Sequence, residues 1–165
     1  MRSTLTLVAL AALLVAAAFW GWGAATSPLP QSEDLPACED TAVAVDQKVY
    51  PDQVTVSIFN ASSRSGLAGR TMQLFLDEGF AEGDNGNAPR GTTIAHSQIW
   101  TSDPRSPAVR LVASRLGPQS SVVEGDQLGV GVVVVVGEDF EDLVKGRKQA
   151  RARQTGFICS PPGSE

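Results

Sequence analysis

Nine residues, "GVGVVVVVG" at 129–137, restrict what this chain can fold into more than any other stretch. Five consecutive valines are β-branched and favour extended backbone, and the run is far too short to cross a bilayer as a helix. No side chain in it faces water willingly. Such a strand needs cover on both faces, which is the situation at the centre of an α/β sheet.

The rest of the chain supplies partners for it. "VYPDQVTVSIFN" at 49–60 alternates Val54, Val56 and Ile58, as a half-buried strand does. An amphipathic helix comes next, with Leu67, Ala68, Met72, Phe75 and Leu76 on one side. Ser65 is the expected N-cap, and Gly79 the left-handed residue that ends the helix, with Phe80 packing back on Phe75. "EGDNGNAPRG" at 82–91 reads as a connection, turning at Asn85-Gly86. "TTIAHSQIWT" at 92–101 reads as a strand and "SPAVRLVASRLG" at 106–117 as a second helix, with Pro107 in its first turn and Gly117 closing it. "SSVVEGD" adds a short edge strand, and a short helix is expected around 139–150. The pattern predicts an α/β (α+β) sandwich in the order β-α-β-β-α-β-β. Its mixed sheet has about four to five strands and helices mainly on one face, and one N-terminal transmembrane helix precedes it.

That helix is read from residues 4–25, an uncharged run of 22 residues, or roughly 33 Å at about 1.5 Å each. Arg2 lies before it, and Trp20 and Trp22 stand at its far end, where indole rings favour headgroups. Residues 1–3 are then cytoplasmic and the remainder lies outside a plasma membrane crossed once. The small residues "GAATS" at 23–27 leave a second reading open, a signal peptide cleaved to release a secreted protein. Residues 26–48, with Pro28, Pro30 and Pro36, read as an extended leash. The domain proper is expected over 49–144, and 145–165 as a basic C-terminal segment. Outside the reducing cytosol the two cysteines, Cys38 and Cys159, are expected to pair, two free thiols being the alternative.

Little here points to catalysis, a cofactor or a metal. His96 is the one histidine, so zinc would lack ligands, and no serine has an evident His and Asp partner set. "GEDFEDL" at 137–143 gathers Glu138, Asp139, Glu141 and Asp142, which reads as the acidic start of a solvated helix rather than a glycosidase pair. A net charge of −5 argues against general nucleic-acid binding. Two candidate contact regions remain. "NASSRSGLAGR" at 60–70 lacks the lysine and glycine spacing of a phosphate loop, yet it opens a helix. Asn60, Ser62, Arg64, Ser65, Gly66 and Arg70 are therefore candidates to hold an anion or a sugar hydroxyl, or simply to cap a close-packed turn. "KGRKQARAR" at 145–153 offers Lys145, Arg147, Lys148, Arg151 and Arg153 to an anionic surface, or presents a solvated helix face.

Taken together, "N-A-S-x-x-x-G-L-A-G", "E-G-F-x-x-G-D-x-G-N-A", "T-T-I" and "V-V-V-V-G-E-D-F", in this order, resemble the LytR C-terminal domain over about residues 52–140. The single anchor, the terminal cysteines and the "V-Y-P-D-Q-V" lead-in look like the stand-alone actinobacterial members, the cell envelope integrity proteins. The resemblance implies a non-catalytic, wall-facing module that binds peptidoglycan or wall glycopolymer. Alternatively it scaffolds LytR-CpsA-Psr glycopolymer ligases or other wall-assembly proteins. "TTIAHSQIWTSDPRS" departs from relatives, which often carry an arginine-tyrosine-glycine segment, so the family offers no guide to ligands near 95–105.

Overall fold

The computed structural model describes residues 38–163 and, towards the N-terminus, residues 6, 10–15 and 17, which are helical. Residues 1–3, most of the apolar run 4–25 and the leash up to residue 37 lie outside the described residues, and so does the question of an anchor. Among the described residues no helix is long and apolar enough to cross a membrane. The chain divides into two units, Met1–Asp34 and Leu35–Glu165. In the first, Leu10, Leu13, Leu14 and Val15 are exposed.

The second unit holds the strands and both remaining helices. In order, its elements are β1 (Glu39–Val43), β2 (Lys48–Val49), a single 3-10 turn (Pro51–Gln53), β3 (Thr55–Asn60), α1 (Leu67–Asp77) and β4 (Ala81–Asn87). Then come β5 (Ser97–Trp100), α2 (Pro107–Leu116), β6 (Ser120–Val123), β7 (Val132–Val136), β8 (Ala150–Arg151) and β9 (Gly156–Ser160). Five strands form one mixed sheet in the order β4-β3-β7-β5-β6. β3-α1-β4 and β5-α2-β6 are each a pair of adjacent parallel strands joined by a helix, and β7 lies between the two pairs, parallel to β3 and antiparallel to β5. From β3 to β7 this is the expected order.

The valine run is covered as its composition demands. Val132, Val134 and Val136 join Val56 and Ile58 in the core under both helices, against Met72 and Phe75 of α1 and Leu111 and Val112 of α2. Val133 and Val135 face the other way, onto Phe59, Ile94, Leu128 and Trp100. The helices share one face of the sheet, and loop residues close the other.

The helix ends are explained locally. Gly79 has φ 87°, its N–H reaches the Leu76 carbonyl at 2.9 Å, and the Phe80 N–H reaches the Phe75 carbonyl at 3.1 Å. The two phenylalanine rings then meet edge to face, 5.3 Å between centroids. The start of α1 differs from expectation. Gly66, at φ 75°, is the N-cap and Ser65 makes no capping bond, because the left-handed turn there requires a residue without a Cβ. Arg115, in the last turn of α2, pairs with Glu78 at the C-terminal cap of α1 and ties the two helices together.

Four other expectations are corrected. Residues 82–91 are not a turn about Asn85-Gly86: Ala81–Asn87 is the edge strand β4, with a register shift on β3 between Val56 and Ile58. An edge strand needs little from its side chains, and a bulge tolerates glycine and asparagine. The strand at 92–101 shortens to Ser97–Trp100, leaving His96 in a bend before it. No helix forms over 139–150, and the carbonyls of Phe140 and Glu141 accept instead from the Arg64 and Arg70 side chains. Finally, the folded unit extends beyond 49–144 at both ends. β1 pairs with β9 and β2 with β8, both antiparallel, so part of the stretch read as leash and the basic tail wrap the domain as a belt. Val43, Val49, Ala150, Ala152 and Ile158 of this belt enter the main core.

Cys38 and Cys159 form the expected disulfide at the end of that belt, Cα atoms 5.3 Å apart and 121 residues apart in sequence. On the chain-entropy argument, closing so long a loop stabilises the fold by about 4–5 kcal/mol. Replacing both, Cys38→Ser with Cys159→Ser, is expected to lower the unfolding free energy by about that amount in urea titrations. A loss under about 1 kcal/mol would show that backbone pairing alone holds the belt.

Candidate functional site

The carboxyl ends of β3 and β7 lie side by side, with Asn60 opposite Val136. The loop after each strand therefore meets the other. Asn60 shapes the first: its Oδ1 accepts from the Ser62 N–H at 2.9 Å and the Ser62 hydroxyl at 2.7 Å, and its Nδ2 donates to the Arg64 carbonyl at 2.7 Å. Ser63 then donates to Glu138 twice, from its N–H at 2.9 Å and its hydroxyl at 3.0 Å. Arg64 reaches over the second loop and donates through Nη1 to the carbonyls of Glu138 at 3.0 Å and Phe140 at 2.5 Å. Arg70, one turn into α1, donates to the Glu141 carbonyl at 3.3 Å.

Four of the six candidate residues of this loop, Asn60, Ser62, Arg64 and Arg70, are thus engaged with the protein's own groups. In the loop leading to α1, Ser63 holds an anion of the protein itself, the Glu138 carboxylate. The Ser63 N–H, then its hydroxyl, and more weakly the Arg64 charge hold that carboxyl below the usual glutamate value, against an opposing effect of desolvation. Ser65 and Gly66 stay outside this network at the turn. Phe140 is fully buried and meets the His96 ring edge to face at 5.6 Å.

A cleft of about 400 Å³ opens beside this clamp, lined by residues 94–98, Gln119, Ser121 and Asp139. His96 Nδ1 lies 3.3 Å from the Ser97 hydroxyl, and that hydroxyl lies 2.5 Å from the Ser120 hydroxyl. Ser97 is 2% exposed and bound to packing partners, so it is not presented to a substrate as a nucleophile would be.

The basic run gathers along α2. Arg110, which the sequence pattern does not single out, donates to the Arg151 carbonyl. Burial first, then the charges of Arg153 and Arg147, hold its guanidinium below the usual arginine value. Lys145, Arg147, Lys148, Arg151 and Arg153 are all exposed, on irregular backbone and the short β8 rather than on a helix. Among the described residues the ion pair that forms is Arg115 with Glu78, and no carboxylate pairs with this group.

The family model LytR_C, described as LytR cell envelope-related transcriptional attenuator, matches residues 53–140. The chain belongs to this family. The LytR_C match spans β3 to β7 and stops at Phe140, whose carbonyl holds Arg64. The clamp thus lies inside the match and most of the belt outside it. The soluble domain (residues 71–217) of a conserved hypothetical secreted protein, an Rv2700 ortholog from Mycobacterium marinum, is similar at 21% identity with a TM-score of 0.49, covering 67% of this chain and 78% of that one. No match was found among curated proteins. As a LytR_C chain it is cell-envelope-related, and its disulfide suits an oxidising compartment outside the cytosol.

The lowered Glu138 pKa makes the clamp pH-dependent. A carboxyl whose folded value lies below its unfolded one stabilises the fold above the ordinary value of 4.5, and that contribution is lost as pH falls through the folded value. Glu138→Gln is therefore expected to lower the Tm at pH 7, with the gap from the parent closing in strong acid. A gap that persists unchanged below that range would rule out the ionised clamp.

Proposed function

We propose that this LytR_C chain is a non-catalytic, membrane-anchored extracytoplasmic protein that supports the cell envelope by binding peptidoglycan or an anionic wall glycopolymer. The contact is assigned to the face formed by Arg110, Arg147, Arg151 and Arg153. The observation that carries this reading is their crowding with no carboxylate paired to them among the described residues. Cations pressed together in this way gain from an anion brought alongside, and arginine is suited to the forked hydrogen bonding of phosphate and carboxylate. The loop at 60–70 is read as scaffold, because its donors already serve the 138–141 loop.

A protein-interaction scaffold for wall-assembly ligases is the second reading. One observation favours it: Phe157 is 68% exposed on β9, beside Ala42 and Val43 of β1, an apolar spot large enough to seat a partner side chain.

Co-sedimentation of the full detergent-solubilised chain with insoluble peptidoglycan tests the first reading. Pelleting is expected at low salt and should fade towards about 500 mM. Arg147→Ala with Arg151→Ala should weaken it at least about tenfold. Pelleting that ignores both salt and these substitutions would refute the arginine face, and no pelleting at all would leave the scaffold reading.

A further inference from the structure

We infer that the cleft between residues 94–98, Gln119, Ser121 and Asp139 is a second binding site, for a neutral, hydroxyl-rich saccharide unit, separate from the arginine face. Its volume, about 400 Å³, is at the small end of the range for small-molecule sites. Among the described residues that line it there is one carboxylate residue, Asp139, and no lysine or arginine, so it disfavours phosphate and other anions.

Its side chains carry hydrogen-bonding capacity that no group among the described residues takes up. Gln98 Oε1 accepts from the Trp100 indole N–H at 3.1 Å. An indole N–H only donates, so the amide oxygen must face Trp100 and both amide N–H groups of Gln98 are left for something else. The Asp139 backbone N–H is fixed to the Ala95 carbonyl at 2.7 Å, which anchors this exposed lining residue, whose carboxylate can only accept, beside the cleft. Gln119 and Ser121, both exposed, add groups that donate and accept. Vicinal sugar hydroxyls need donors and acceptors set close together, and planar amides and carboxylates supply them in pairs.

The walls are hydrogen-bonded to one another, and groups already tied in this way limit the ordering cost of binding. The Gly137 N–H donates to the His96 carbonyl at 2.7 Å, and the Ser97 and Ser120 hydroxyls join the starts of β5 and β6. A Cβ on Gly137 would collide with the Ile94 carbonyl, so the loop at 94–96 lies directly on the end of β7.

The Trp100 indole offers the readout. In ¹⁵N NMR of the full chain in micelles, chitotetraose or maltotetraose at millimolar concentration is expected to shift the Trp100 indole and the Gln98 and Gln119 side-chain amide signals. The shifts should survive about 500 mM salt, unlike contacts on an exposed charged face. Asp139→Ala and Gln119→Ala, at exposed positions that the fold does not depend on, should each weaken binding about tenfold or more. Arg147→Ala with Arg151→Ala should leave it unchanged, so loss of pelleting with retained sugar shifts would separate the two sites. No shift at Trp100 with either sugar, or shifts confined to residues 145–153, would overturn the inference.

Discussion

β7 is hydrogen-bonded to a neighbour along each edge and covered by apolar side chains on each face, and the rest of the domain is arranged to make that possible. Each fully buried valine contributes on the order of 1.5–3 kcal/mol, but only if both faces find cover. Three of the five meet the two helices; the other two meet Phe59 and Trp100 of the neighbouring strands and the loop residues Ile94 and Leu128. Both edges are met by a strand-helix-strand unit, one on each side and of opposite direction, which is why the sheet is mixed. Placing β7 last among the five sheet strands lets it fill a slot between units that the chain has already laid down.

The constraint continues past the end of the strand. At Gly137 the chain leaves the sheet against the 94–96 loop, and three backbone N–H groups, those of Gly137, Glu138 and Asp139, donate back to residues 94–96. The acidic residues beyond are drawn onto the loop after β3, where Ser63 and Arg64 take the Glu138 carboxylate and two carbonyls. With those carbonyls engaged, the segment gains little by becoming a helix. Two stretches that each stood out in sequence are thereby locked to one another.

This arrangement decides what could be read in the sequence. The valine strand, α1 with its Gly79 end and α2 with Pro107 were legible, because hydrophobic period and caps are local signals. The disulfide was legible by count and compartment. β4 was not, since Gly83, Asn85, Gly86 and Asn87 deny it any strand signature and only pairing with β3 makes it one. The belt was hidden for a related reason: strands of two and five residues at opposite ends of the chain carry no shared pattern. Both halves of the clamp, "NASSRSG" and "GEDFED", stood out in sequence. Their meeting, 75 residues apart, did not. Of the candidate contact residues, the basic run was legible as a run, while Arg110 on α2 became part of it only through the fold.

A net charge of −5 does not stand against the contact proposed for the arginine face. At physiological ionic strength charges act over about 8 Å, so an anionic polymer senses the guanidinium groups beside it and not the acids on distant loops. The LytR_C match covers the sheet and the clamp, residues 53–140, whereas Arg147, Arg151 and Arg153 stand on the belt that the match does not reach. Family membership therefore accounts for the scaffold, and the contact chemistry has to be argued from this chain's own residues. The belt's pairing sets that chemistry in place: β8 is fixed to β2 and reached by Arg110 from α2, so the cations are carried on backbone that the core itself immobilises.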